Sequence, residues 1–153
     1  MKSKTLILGA IFTIVTLGGC NNSTPSSIGV HNQKLSSCPS SPNCVSSDAE
    51  DQKHHIPPFQ LNGDVAAGWN GVYEEVGEIP RNIVTSQSGN YLHAEIQSRV
   101  FRFIDDLELL LNPLTGSISV RSASRTGSSD FGVNRKRVET LRKKLIEKKI
   151  IKN

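Results

Sequence analysis

From Leu92 onward the chain alternates. Leu92, Ala94 and Ile96 occupy even positions, with His93, Glu95 and Gln97 on the odd ones. Leu107, Leu109 and Leu111 alternate in the same way with Asp106 and Glu108, and Ile118 and Val120 with Ser119 and Arg121. A strand points successive side chains to opposite faces, so this period of two specifies a sheet with one apolar and one charged face. The apolar face must be covered by other elements, which limits the chain to a few layered architectures. Ile83 to Ser86 reads as a further short strand, closed by a turn at Ser88-Gly89-Asn90. At Phe101 and Phe103 the parity flips, which predicts a bulge near residues 99–101. Asn112-Pro113-Leu114-Thr115 turns the chain again. A four-residue loop there sets Leu109 opposite Ile118, Leu107 opposite Val120, and Asp106 opposite Arg121.

Two helical patterns flank these strands. Val65, Trp69, Val72 and Val76 recur at helical spacing over residues 64–76, and Gly68 and Gly71 allow close packing against a sheet. Val138, Leu141 and Leu145 do the same over residues 134–149, with basic residues toward the C-terminal end, as the helix dipole prefers. The expected fold is therefore α+β: a four-stranded antiparallel meander with one helix before and one after, both on one face.

The N-terminus carries an address. Lys2 and Lys4 precede an uncharged apolar run from Leu6 to Leu17. Twelve residues rise about 18 Å as a helix, short of a ~30 Å bilayer core, so residues 1–19 read as a signal peptide and not a span. Its end, Leu17-Gly18-Gly19-Cys20, resembles the lipobox of bacterial lipoproteins. That resemblance implies cleavage before Cys20, acylation of Cys20, and attachment to a membrane through the lipid. Asn21 is not the aspartate tied to inner-membrane retention, so the expected address is the outer membrane, facing the periplasm. Residues 20–37 read as a flexible tether and 38–153 as one domain.

Cys20 accounts for the odd cysteine among three. Cys38 and Cys44 remain, outside the cytoplasm, in the segment CPSSPNCVSS. A structural disulfide is the expected state there, with a thiol-redox pair or a metal site as alternatives. The metal site would need His31, His54 or His55 to fold back, and no C-x-x-C or zinc-type spacing is present. The full chain holds 18 Lys and Arg against 14 Asp and Glu. Loss of Lys2 and Lys4 leaves a formal charge of +2, and export with so small an excess argues against nucleic acid as a partner.

Three stretches together resemble the bacterial and plastid family known as domain of unknown function 1499. They contain Cys38-Pro39 and Ser41-Pro42-Asn43-Cys44-Val45-Ser46-Ser47, then Asp105-Asp106, then Arg121-Ser122-Ala123-Ser124-Arg125 with Gly127, Ser129-Asp130, Gly132 and Asn134-Arg135. The resemblance runs from about Ser37 to Leu145. It implies that the cysteine motif belongs to the domain, and it implies no activity.

Function is therefore argued from side chains. Arg121, Arg125, Arg135 and Asn134, with the first amides of the last helix, are candidates to converge on a small anionic ligand. The competing reading has Asp130 or Ser129 capping that helix and Arg125 paired with Asp130. His93 and Glu95 share a strand face and are candidate ligand-binding residues; the simpler reading is a solvated sheet face. No Gly-x-Ser-x-Gly elbow or HExxH motif marks a nucleophile or a metal, so no catalytic residue, metal or cofactor is assigned. An envelope hydrolase or thiol-redox enzyme is the alternative to a binding or assembly module. The basic tail RKKLIEKKIIKN is a candidate for contact with anionic lipid.

Overall fold

A computed structural model describes residues 24–153. The expected signal peptide, residues 1–19, and Cys20 lie outside the described residues. The chain forms strands β1 (Val30–His31), β2 (Lys34–Leu35), β3 (Cys44–Ser46) and β4 (Phe59–Gln60), then helix α1 (Val65–Gly77). Strands β5 (Asn82–Ser88), β6 (Tyr91–Gln97), β7 (Ile104–Asn112) and β8 (Ser117–Ser124) follow, and helix α2 (Val133–Glu147) comes last.

The sheet is therefore not the expected four-stranded meander. The described residues form two antiparallel sheets, one of six strands and one of two. β5 to β8 do follow one another as a meander. On the far side of β8, however, β3 pairs with its C-terminal half, Cys44 opposite Ala123, and β4 with its start, Phe59 opposite Ile118. β1 and β2 make a separate small hairpin. The additional strands have two or three residues each, too short to display any period.

One core joins the elements. Leu92, Ala94, Leu107, Leu109, Ile118 and Val120 from the sheet meet Trp69, Val72 and Val76 of α1 and Val138, Leu141 and Leu145 of α2. Each helix supplies apolar residues three or four apart, the stripe that a helix presents to a sheet. Asp64 caps α1, its carboxylate accepting from the Ala67 amide at 2.8 Å. Trp69 buries its ring and donates its indole N–H to the Gly89 carbonyl at 3.1 Å. Gly68 and Gly71 face Leu61 and Ile150, where an added Cβ would lie 2.9 and 3.0 Å from their side chains. The close approach they permit is thus to the chain's flanking segments. The basic tail does not hang free. Ile151 bridges to Leu61, Lys152 donates its amide to the Gln60 carbonyl at 2.8 Å, and Ile151 is buried.

Three further details differ from the sequence expectations. Leu109 pairs with Val120 and Leu111 with Ile118, a register shifted by two residues, so Arg121 lies opposite Glu108 and not Asp106. A shift of two keeps every side chain on its face, so alternation cannot distinguish the two registers. The parity flip at Phe101 marks a loop over residues 98–103; the irregularity in the sheet lies in β5, between Val84 and Ser86. Residues 29–37, read as tether, are folded onto the sheet: Leu35 is buried, and the Gly29 amide donates to Glu108 Oε1 at 2.8 Å.

Cys38 and Cys44 form a disulfide, with Cα atoms 5.6 Å apart. Closing so short a loop stabilises the fold by roughly 2 kcal/mol in the chain-entropy model. The bond ties residue 38 to β3, which strand pairing holds to the end of β8. Asn43 continues that junction: its carbonyl accepts from the Ser124 amide at 3.0 Å, and its side-chain amide donates to the Gly127 carbonyl at 2.7 Å.

Candidate functional site

The sheet face away from the helices is charged and yet buried. β6 directs Tyr91, His93 and Glu95 to it, β7 directs Asp106 and Glu108, and β8 directs Arg121 and Ala123, with Arg125 just beyond. His93, Asp106, Glu108 and Arg121 are each less than 5% exposed. Alternation put these residues on one face; the segment before β3 excludes water from them. Desolvated charges are costly unless paired, and here they are paired throughout.

Two networks meet on this face. In one, Glu108 accepts three hydrogen bonds: from the Tyr91 hydroxyl at 2.9 Å, the Gly29 amide at 2.8 Å and Arg121 Nη1 at 2.8 Å. Burial and the neighbouring Glu108 charge push the Tyr91 phenol well above its ordinary range, so it remains a donor. In the other, Asp106 accepts from Arg125 Nη2 and Nε at 2.7 and 2.9 Å and lies 2.8 Å from His93 Nε2. Burial alone would raise the Asp106 carboxyl, but the bonds from His93 and Arg125 outweigh it and hold the group below its usual value. Arg125 also binds Glu95, and its guanidinium is raised, first by Asp106. The other ring nitrogen of His93 meets the Thr85 hydroxyl at 2.7 Å. With Asp106 ionised, Nε2 carries the proton that meets it; in the neutral ring Nδ1 then accepts from the Thr85 hydroxyl. This hydroxyl–imidazole–carboxylate line runs from Thr85 on the edge strand β5 through β6 to Asp106 on β7, beside β8.

A cavity of about 300 Å³ opens beside the two networks. Asp106, Arg121, Ala123 and Arg125 form its floor, and Pro25, Ser27, Ser37, Cys38 and Pro39 its cover. Ala123 leaves a gap between the two arginines. Arg121, one of the lining residues, has its Nε buried without a hydrogen-bond acceptor among the described residues. A buried donor left unmatched costs on the order of 1–3 kcal/mol, and Arg121 is almost wholly removed from bulk water.

The residues proposed from sequence divide between two places. Arg121, Arg125, His93 and Glu95 share the charged face. Arg135 and Asn134 do not. Arg135 donates to the carbonyls of His55 and Lys53, both at 2.9 Å. Asn134 is fully buried on the helix side, where it donates to the Asn43 carbonyl at 3.0 Å and accepts from the Ser122 hydroxyl at 2.7 Å. The first amides of α2 are occupied as well: Asp130 accepts from Asn134 N at 2.7 Å and Gly132 N at 3.0 Å. Arg125 therefore pairs with Asp106 and Glu95, and Asp130 serves the helix. Tyr91, Glu108 and Thr85 are site residues that sequence reasoning passed over; Glu108 was visible as a charge alternating with Leu107 and Leu109, on the same parity as Asp106. His93, Glu95 and Asp106 hold one potential ligand atom each within 4.8 Å of one another. Arg125 already occupies both carboxylates, so a metal ion there would have to displace it.

These features define a class: a small α+β domain whose sheet carries a covered, internally paired charged face beneath an N-terminal segment. Residues 34–145 match the family model described as protein of unknown function, DUF1499, and the chain belongs to that family. No curated protein and no solved structure matches the chain.

Proposed function

We propose that the chain is a lipid-anchored protein of the cell envelope, held at the outer membrane facing the periplasm, whose domain binds a small acidic ligand beneath its N-terminal segment. The address rests on Leu17-Gly18-Gly19-Cys20 after an apolar run too short to span a bilayer. The Cys38–Cys44 disulfide supports it, since such bonds persist outside the cytoplasm. Replacing Cys20 by Ala in the natural host should leave an uncleaved precursor or a form released from the membrane. Maturation of that variant to the usual mass, with unchanged membrane association, rejects the anchor.

The binding reading is carried by one observation: Arg121, whose buried Nε has no acceptor among the described residues, lines a cavity at the small end of the size range for ligand sites. Both floor guanidinium groups already have carboxylate partners. The ligand therefore needs one acceptor group, a carboxylate or phosphate oxygen, rather than several charges. Melting of the mature chain with phosphate, short carboxylates and neutral sugars at constant ionic strength tests this. An acidic compound at a hundredfold excess over its Kd should add about 2.7 kcal/mol of stability. Arg121→Lys keeps a cation for Glu108 but removes the guanidinium Nε–H, and should abolish that response. The reading fails if no acid acts beyond a general salt effect, or if the variant responds like the parent.

A further inference from the structure

Nine large apolar side chains are exposed among the described residues, and six of them gather at one end of the sheet. Val100, Phe101 and Phe103 project from the β6–β7 loop at 75, 73 and 49% exposure, the two rings stacked with centroids 5.5 Å apart. Phe131 and Val133 project before and at the start of α2, and Ile83 from the start of β5. Strand register places these loops together. Gln97 pairs with Ile104, the Gln97 amide donates to the Arg81 carbonyl at 3.0 Å, and the Arg125 amide to the Ile104 carbonyl at 3.1 Å. Val133 in turn shares a surface hollow with Ile79, Pro80 and Arg81.

The charge within these loops has one sign, with Glu78, Glu95 and Asp130 lying just outside them. In residues 79–83, 98–103 and 131–136 every ionisable side chain is basic, and Arg81, Arg99, Arg102 and Lys136 are exposed. The nearest carboxylate in sequence to Phe131, Asp130, is engaged by the α2 amides. Apolar tips within a basic rim complement an anionic bilayer: rings enter the headgroup boundary and cations meet lipid phosphates.

The path of the N-terminal segment points the same way. Val30 lies beside Asn90 and Leu110, toward the opposite end; Gly29 binds Glu108 in mid-sheet; Pro25 shares the cavity lining with Ser124 and Arg125. The chain followed backward thus runs toward the end that carries the phenylalanines. Pro25 follows Cys20 by five positions, a covalent reach of at most roughly 18 Å.

We infer that this end of the domain, led by Phe101, Phe103 and Phe131, docks on an anionic lipid bilayer. The argument from the chain's path rests on the lipid anchor proposed above; the argument from loops and charge does not. The test therefore uses the mature chain with Cys20→Ser, which carries no acyl group. It should co-sediment with vesicles of phosphatidylethanolamine and phosphatidylglycerol, and far less with phosphatidylcholine alone. Added salt should weaken the binding. Phe101→Ser with Phe103→Ser should lower the partition coefficient at least roughly tenfold, because each ring gives up apolar burial. Arg99→Gln with Arg102→Gln should lower it on anionic vesicles only. These loop changes should leave the thermal midpoint near that of the parent, which separates lost docking from lost folding. Absence of binding to the anionic vesicles, or equal binding by the phenylalanine variant, overturns the inference whatever happens to Cys20 in cells. Self-association that the same variant abolishes, without vesicle binding, would assign the face to a second copy of the chain and also overturn it.

Discussion

Replacing Glu108 by Gln should destabilise the domain by about 3–5 kcal/mol, read as a lower urea midpoint with little change in slope. Glu108 is fully buried and is the acceptor for Arg121 Nη1, the Tyr91 hydroxyl and the Gly29 amide. The amide can still accept hydrogen bonds but cannot balance a guanidinium removed from water. The cost therefore lies in an uncompensated charge. A double variant, Glu108→Gln with Arg121→Met, should recover much of the loss, since replacing both members of a buried pair is often close to neutral. If Glu108→Gln alone costs less than about 1 kcal/mol, water reaches this face and the segment over it is not closed.

Acid should act through Asp106. Its folded carboxyl is held below the ordinary value by His93 and Arg125 despite the opposing effect of burial. As the pH falls through the unfolded value of about 3.9, the unfolded chain takes up the proton first. Asp106 thus stabilises the fold in full above about pH 5, and this contribution is lost as the pH drops toward the folded value. Asp106→Asn should cost roughly 1.5–3 kcal/mol near neutrality, the worth of hydrogen bonds to a charged group. It should also flatten the acid limb of the stability curve. Equilibrium unfolding from pH 7 to pH 3 provides the measurement. Parallel curves for parent and variant would mean that Asp106 is not ionised against Arg125 in the native state.

The sequence was most legible where a pattern is long. Helices expected over 64–76 and 134–149 occur at 65–77 and 133–147, because each repeats its apolar residues for several turns. The central strands could be read for the same reason. The short strands β3 and β4 could not, since two or three residues carry no period, and the six-stranded sheet was missed with them. The register was misplaced by two residues because alternation repeats every two, and the partner of Arg121 changed from Asp106 to Glu108. The charged face was identified as a face, but its burial was hidden. Alternation records polarity, whereas water is excluded here by residues 25–39, whose composition resembles a tether. Arg135 was grouped with Arg121 and Arg125 on chain proximity alone; its side chain reaches the carbonyls of residues 53 and 55 instead.

The pairing of β3 with β8 has a consequence for the order in which the molecule assembles. Cys44 must find Ala123, 79 positions later, and Gly29 must find Glu108 over the same separation. The hairpins from β5 to β8 close over a few residues each, so their loop-closure entropy is small and they are expected to form early. A chain delivered from its N-terminus exposes residues 24–62 long before β8 exists to receive them. Cys38 and Cys44, six positions apart, can join during that interval without any other part of the fold. The bond then presents β3 as a shaped edge when β8 arrives, so that less chain has to be ordered as the two strands pair, although the loop from Cys44 to Ala123 keeps its full length.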